Sequence, residues 1–170
     1  MQKNRWFTSF KTELGWHGLI TTMRGISCLT LPKTDEEEAL ESLKLEASDK
    51  RILDKKSIPL IDKICRFCQG QPITFDDNLD LSAINEFSRN VLSLCRTIPY
   101  GQTRHYGWIA EQLGKKGAVR AVGNALHRNP LPLIIPCHRV IAANGSLGGF
   151  ATDLEVKRIL LSLEGVRLHT

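Results

Sequence analysis

The sequence predicts a mixed α/β (α+β) chain in which a small sheet-plus-helix domain is followed by a largely helical one. Three observations carry this reading. Short β-prone runs punctuated by glycines open the chain, the apolar period becomes helical from Leu81, and turn formers and acids gather between Gly70 and Asp80 without periodic apolar residues. The expected domains are therefore 1–78 and 79–170.

In the first domain, Trp6 to Phe10, His17 to Thr22 and Ile26 to Leu31 read as strands of an antiparallel meander, with Gly15 and Gly25 near the turns and Pro32 as a stop. Thr34 with Glu37 has the pattern of a capping box, and the acids from Asp35 to Glu38 suit a positive helix start, so a helix is expected from about Asp35 to Ala47. Ile58 to Phe67 has helical apolar spacing. The run Gln69-Gly70-Gln71-Pro72 breaks it, Ile73 to Phe75 is expected as a further strand, and Asp76 to Asp80 as linker.

The second domain begins with a helix whose face is Ile84, Phe87, Val91, Leu94 and Cys95, ending at Pro99. Tyr106 to Leu113 and Ala118 to His127 come next as two helices around the turn Gly114-Lys115-Lys116-Gly117, a helix-turn-helix outline. Leu131 to Ile135 suits a buried strand stopped by Pro136, because proline cannot donate to a ladder. Asn144-Gly145 signals a tight turn between Val140-Ile141 and Ser146-Leu147, a small hairpin or wing. Thr152 with Glu155 resembles a second capping box, and Gly165 is expected at the C′ position of the last helix.

Composition narrows the function. Among 170 residues no apolar run approaches the about 20 that a membrane span needs, and the amino terminus lacks a signal-peptide pattern, so a soluble, cytoplasmic or nuclear protein is expected. Five irregularly spaced cysteines argue for reduced thiols rather than a disulfide scaffold. Cys65-x-x-Cys68 has no second pair and no histidine at finger spacing, and is read as a helix edge; no structural zinc, other metal or cofactor is assigned. Residues 1–95 carry 13 Lys and Arg against 14 Asp and Glu, net −1, whereas residues 96–170 carry 10 against 4, net +6. That asymmetry suits a phosphate-backbone partner for the second half, with a merely basic surface as the bland alternative.

Cys137 is the residue most open to chemistry. It lies between Pro136 and His138-Arg139, either of which could assist thiolate formation by proton acceptance or positive potential. Cys95 is read as core. The helix from Ala118 is rich in small residues, Ala118, Ala121, Gly123 and Ala125, which make poor base readers for a major groove but permit close approach to a minor groove, with Arg120 as its long cationic exception. Glu164 is an acid at a helix carboxy terminus, where the dipole disfavours it, and this invites a functional role.

An ordered set of motifs then converges: Ile98-Pro99-Tyr100-Gly101, Tyr106, Arg120-Ala121-Val122-Gly123, Asn129-Pro130, Ile135-Pro136-Cys137-His138-Arg139-Val140 and Leu163-Glu164-Gly165. In order and spacing across residues 88–168 this resembles the O6-alkylguanine-DNA alkyltransferases, the methylated-DNA–protein-cysteine methyltransferases. Residues 1–75 match only loosely. The resemblance implies a ribonuclease H-like first domain and a winged helix-turn-helix-like second one. It also implies a single-turnover transfer of an alkyl group to Cys137 from O6 of guanine in double-stranded DNA, with O4 of thymine as a further candidate, by a monomer without cofactor. His138 would act as base through a water, Glu164 would orient it, Asn129 would tie the active-site loop, and Tyr106 would relieve charge on the leaving base. Arg120 would fill the gap left by a flipped nucleotide, while amides of the helix from Ala118 to Ala125 and Arg128 would hold phosphates. Tyr106, Val140, Phe150, Ala151 and Thr152 would line the substrate pocket. The chain departs from the family pattern Tyr-Ser-Gly-Gly-Leu at Phe150-Ala151-Thr152-Asp153-Leu154, from which a narrower pocket, reacting better with methyl than with benzyl groups, is expected.

Three rival readings are a non-catalytic lesion-binding relative, which would carry another residue in place of Cys137, a helix-turn-helix regulator whose cysteine senses alkylation, and a cysteine hydrolase. The last is disfavoured because no oxyanion-hole motif can be read.

Overall fold

The computed structural model describes residues 4–52, 58–148 and 153–167. The chain divides into two compact units, Met1–Ala83 and Ile84–Thr170. The division falls later than the expected limit at 78 because the acidic linker is sewn to the edge of the first sheet. Ile26 N donates to Asn78 O at 2.9 Å, Asp80 N donates to Ile26 O at 2.7 Å, and Thr22 Oγ1 donates to Asp80 Oδ2 at 2.7 Å.

The first unit is built on β1 (Arg5–Thr12), β2 (Gly15–Thr22) and β3 (Gly25–Leu29), the expected antiparallel meander. A short β4 (Lys50–Arg51) adds in parallel to β1, giving the order β3-β2-β1-β4. Two residues are too few for a period to mark in sequence. Helix α1 (Glu36–Ser42) is capped by Asp35, which accepts from Glu38 N at 2.8 Å, while Thr34 Oγ1 donates to Glu38 Oε2 at 2.6 Å. The reciprocal cap is thus shifted by one residue from the expected Thr34/Glu37 pair. The helix ends well before Ala47 because Lys44 takes a left-handed φ of 50°. Helix α2 (Pro59–Cys68) starts with proline at its first position and buries Leu60, Ile64, Phe67 and Cys68 along one face. The strand expected at Ile73 to Phe75 does not form; Phe75 is buried instead, its ring 5.8 Å from that of Phe67.

A buried polar knot ties this sheet. His17 is fully buried and stacks on Phe10 at 5.3 Å; its Nδ1 donates to Thr30 O at 2.9 Å, so Nε2 accepts from Thr12 Oγ1 at 3.1 Å. Burial depresses the His17 pKa, against the opposing Thr30 hydrogen bond, and favours the neutral ring. The unfolded chain takes up a proton below about pH 6.5 while the folded one resists it, so stability is complete above that pH and falls as acid is added. Denaturant midpoints measured from pH 8 to 5 are expected to drop below about pH 6.5. His17→Gln is expected to shrink that acid-dependent drop and to cost about 1–3 kcal/mol at neutral pH, from the partners it leaves unmatched.

In the second unit, α3 (Glu86–Arg96) begins after Asn85, whose side chain accepts from Ser88 N at 2.9 Å, and buries Val91, Leu92 and Cys95. β5 (Arg104–His105) leads directly into α4 (Tyr106–Gln112), and a 3-10 turn at Lys116–Ala118 precedes α5 (Val119–His127). A second 3-10 turn, Cys137–Arg139, runs into β6 (Val140–Ile141), and α6 (Leu154–Leu163) closes the unit. Two expectations change here. Leu131 to Ile135 is buried but wound into turns rather than extended, with Ile135 N donating to Leu131 O at 2.8 Å. β6 pairs in parallel with β5 rather than with Ser146-Leu147; the Asn144-Gly145 turn is nevertheless closed by Ala142 N donating to Ser146 O at 2.9 Å. Gly165 stands at C′ with φ 74°, and the bonds Val166 N to Leu161 O and Gly165 N to Ser162 O complete a Schellman ending.

Candidate active site

Three consecutive residues in one 3-10 turn bring the site together. Such a turn has about three residues per revolution, so successive side chains splay around it instead of alternating between two faces. His138 and Arg139 both reach Glu164, which is the C-cap residue of α6. His138 Nε2 lies 2.7 Å from Glu164 Oε1, and Arg139 Nε donates to Oε2 at 2.9 Å. A second guanidinium nitrogen donates to Oε1 at 2.9 Å, and Gly101 N donates to Oε2 at 2.9 Å. Arg139 also donates to Ile98 O at 2.5 Å and lies 5.8 Å from the Tyr100 ring, so the Ile98-Pro99-Tyr100-Gly101 segment walls the ion pair.

His138, Arg139 and Glu164 are all buried. Burial alone would raise the Glu164 carboxyl, but the hydrogen bonds from His138 and Arg139 outweigh it and hold the group below the usual carboxylate range. Burial lowers the His138 pKa, with the Glu164 hydrogen bond and charge opposing, and the resting imidazole is the neutral base.

Asn129 organises the loop before the thiol. Its Nδ2 donates to Ile135 O at 2.8 Å and its Oδ1 accepts from Leu131 N at 3.0 Å. Cys137 is partly exposed. Desolvation raises its pKa, while a hydrogen bond with the Asn129 side chain, the charge of Lys157 and the amides of Cys137 and His138 pull it down.

Lys157 belongs to the site although no sequence motif points to it. It is buried in α6, and its Nζ donates at 2.6 Å to both Val140 O and Leu147 O and lies 3.5 Å from Tyr106 Oη. Burial brings its pKa down to about 8, partly opposed by Cys137 and Cys95. Burial pushes the Tyr106 phenol up to about 12, with further contributions from the same two thiols. A signal is available in the sequence: Lys157, Leu160 or Leu161, and Glu164 fall at helical spacing, which sets a cation in the apolar stripe of α6.

The remaining expected residues divide. Val140 is buried beside the site, and its carbonyl receives Lys157. Arg120, Ala121 and Arg128 are exposed on and just after α5. Gly123 and Ala125, expected at a DNA surface, are instead buried with Val122 and Leu126. Their small size serves packing, because the inward stripe of α5 falls on them. Phe150, Ala151 and Thr152 lie outside the described residues. Asp153, the last of the departures, turns its carboxylate to accept from Val156 N at 3.0 Å and caps α6. Among the described residues no group of His, Cys, Asp and Glu is arranged to hold a metal ion, and no helix is long and apolar enough to cross a membrane.

A cysteine whose thiolate is favoured by an amide and by the charge of a buried lysine, on the same turn as the His138 and Arg139 that hold Glu164, defines a thiol-centred site on the helical half of an α+β chain. Residues 86–166 match the family model described as 6-O-methylguanine DNA methyltransferase, DNA binding domain. The methylated-DNA–protein-cysteine methyltransferase of Sulfolobus acidocaldarius is 42% identical over 125 residues, 73% of this chain and 78% of that protein. The namesake from Mycolicibacterium paratuberculosis is 47% identical over 104 residues, 61% of this chain and 62% of that protein, so the match spans under two thirds of that relative's length. The crystal structure of Mycobacterium tuberculosis OGT in complex with DNA superposes with a TM-score of 0.79 at 33% identity, covering 94% of this chain and 92% of that one. The chain belongs to the 6-O-methylguanine DNA methyltransferase family.

Two substitutions test this architecture. Glu164→Gln leaves the Arg139 charge buried without its counterion and is expected to cost about 3–5 kcal/mol in urea unfolding. Gly148 has φ 81°, and a Cβ there would lie 3.0 Å from the Tyr106 ring. Gly148→Ala is expected to destabilise by about 1–2 kcal/mol and to change the Tyr106 ring signals in NMR spectra, whereas unchanged ring signals would contradict the close contact.

Proposed function

We propose that this chain repairs DNA by moving a methyl group from O6 of guanine to Cys137, once per molecule. The observation that carries the reading is a thiol that heads the 3-10 turn bearing the buried His138–Glu164 pair, with the Asn129 amide and the Lys157 charge favouring its thiolate. In the proposed reaction His138 takes the thiol proton through a bridging water, and Glu164 stabilises the imidazolium. The sulfur attacks the methyl carbon, the S–C bond forms as the C–O6 bond breaks, and the bonding pair passes to the purine. Tyr106 donates its phenolic hydrogen bond to the base edge and relieves that charge, with the Lys157 ammonium beside it. A return of the proton leaves guanine in DNA and a thioether on the protein. No cofactor enters this scheme.

A base stacked in duplex DNA cannot reach the thiol, so the nucleotide is flipped out at a cost of a few kcal/mol, least for a damaged pair. Exposed Arg120 is assigned to the gap and Arg128 to phosphate. The helices α4 and α5, with the intervening turn, support a helix-turn-helix-like reading, and the turn at Asn144-Gly145 supports a wing. In the first unit, the β3-β2-β1-β4 order with only β4 parallel supports the ribonuclease H-like reading. The protein works as a monomer in the compartment that holds DNA, the cytoplasm or a nucleus. The Thr152 and Asp153 departures favour methyl over benzyl adducts.

Intact-protein mass after mixing with one equivalent of duplex bearing O6-methylguanine is expected to show a single methyl gained, mapped to Cys137. Cys137→Ser is expected to bind the same duplex without gaining mass; a mass gain in that variant would move the acceptor elsewhere. Lys157 lowers the thiol pKa, so removing its charge raises it. In Lys157→Met the pH–rate curve for methyl transfer is therefore expected to shift to the alkaline side, and an unshifted curve would remove Lys157 from thiolate stabilisation.

A further inference from the structure

The loop that delivers the thiol contains a backbone conformation that its sequence resists. Leu133 has φ 72°, in the left-handed region where only glycine, and less often asparagine or aspartate, sits comfortably. Pro132 precedes it, and the two residues lie inside an α-turn closed by Ile135 N donating to Leu131 O. Leucine has neither glycine's freedom nor a polar group to bond locally. Its side chain is nevertheless 1% exposed.

The path of the chain beyond Leu133 depends on that turn. Ile135 N donates back to Leu131 O at 2.8 Å, and Asn129 clasps both ends of the same segment through Leu131 N and Ile135 O. Pro136, at φ −79° and ψ 63°, then makes an inverse γ-turn in which Cys137 N donates to the same Ile135 O at 2.8 Å. Two turns in succession, the α-turn around Leu133 and the γ-turn at Pro136, therefore lead to the sulfur. An extended residue at 133 would carry the chain away from the Ile135–Leu131 bond and take Cys137 with it.

We infer that Leu133 is a positioning residue for the transfer reaction: its buried side chain pins the left-handed turn that aims the Cys137 thiol. Glycine would accept the turn but leave it unpinned. Leucine pins it against local strain, which fits the clustering of backbone strain at sites where geometry is over-determined by the surroundings. The inference rests on the methyl-transfer reading for its natural substrate, although the geometry concerns the thiol itself.

The experiment compares four variants with the wild type in single-turnover methyl transfer from an O6-methylguanine duplex, at saturating DNA and with the Kd for that duplex measured separately. Leu133→Met keeps a large apolar side chain without a branch at Cβ, and its limiting rate is expected within threefold of wild type. Leu133→Val carries a β-branch that opposes positive φ, and a loss of at least tenfold in rate with unchanged Kd is expected. Leu133→Ala and Leu133→Gly remove similar packing but differ in tolerance of the turn, so Gly is expected to be at least fivefold faster than Ala. A Val variant as fast as wild type, or an Ala variant as fast as Gly, overturns the inference; the Ala and Gly pair decides if Val does not fold. The same ranking is expected when Cys137 is alkylated by iodoacetamide without DNA. A wild type that takes no methyl from the duplex would refute the repair reading alone, and the iodoacetamide ranking would still decide the role of Leu133.

Discussion

The Glu164 carboxylate is buried, and much of the second unit is arranged to supply the hydrogen bonds and countercharge that bulk solvent would give it. Its carboxylate is closed off by Arg139, His138 and the amide of Gly101. The guanidinium balances the charge, so the imidazole need not; burial keeps His138 neutral, and the Glu164 hydrogen bond and charge offset part of the cost of protonating it. Removing either charged partner would leave the other buried alone, the costly outcome for such pairs. This requirement fixes where the end of α6 must lie relative to the 3-10 turn. The thiol is held by the same turn.

A second set of charges surrounds the sulfur. Lys157 directs its shortest hydrogen bonds to Val140 O and Leu147 O, which lie on either side of the Asn144-Gly145 turn. One ammonium thus ties the residues after Cys137 to α6 and also contributes positive potential to the thiol. Burial weakens its hold on its own proton and also raises the thiol, so desolvation disfavours each ion by itself. In a site of low dielectric a thiolate–ammonium pair is far better stabilised than either ion alone. Tyr106, pushed to about 12, stays protonated and keeps a hydrogen to donate.

The larger elements and several site contacts are legible in the sequence for physical reasons. The glycine-punctuated strands, the apolar faces of α2 and α3, and the Gly165 ending all obey local rules that the tertiary structure does not overrule. The Glu164 anomaly is legible too, since an acid against a helix dipole needs a compensating partner, and Arg139 with His138 provides one. Leu131 to Ile135 reads as a strand, yet forms none, because an apolar run has no period that separates a strand from a buried coil. The information lies in its prolines and in Asn129, which remove or redirect the donors a ladder would need. Lys157 is hidden from any motif because its signal is a single cation in an apolar stripe. Size alone assigns Gly123 and Ala125 to a surface, although size says nothing about which face of α5 they occupy.

The direction of the proposed transfer has a different origin from its speed. Asn129 and Lys157 stabilise negative charge on sulfur, and a group that eases the thiolate into the attack would ease it out again as a leaving group. They therefore lower the barrier in both directions and cannot make the step one-way. The asymmetry lies in the end states: the base passes from an alkylated enol ether to the amide-like form of guanine, and the carbon passes from oxygen to a neutral thioether. Regenerating the thiol would need a second nucleophile aimed at that carbon. Among the described residues near Cys137, both oxygens of Glu164 are bonded to His138, Arg139 and Gly101, and the Lys157 nitrogen is bonded to two carbonyls. In the proposed reaction, then, the transfer ends when the thiol is consumed.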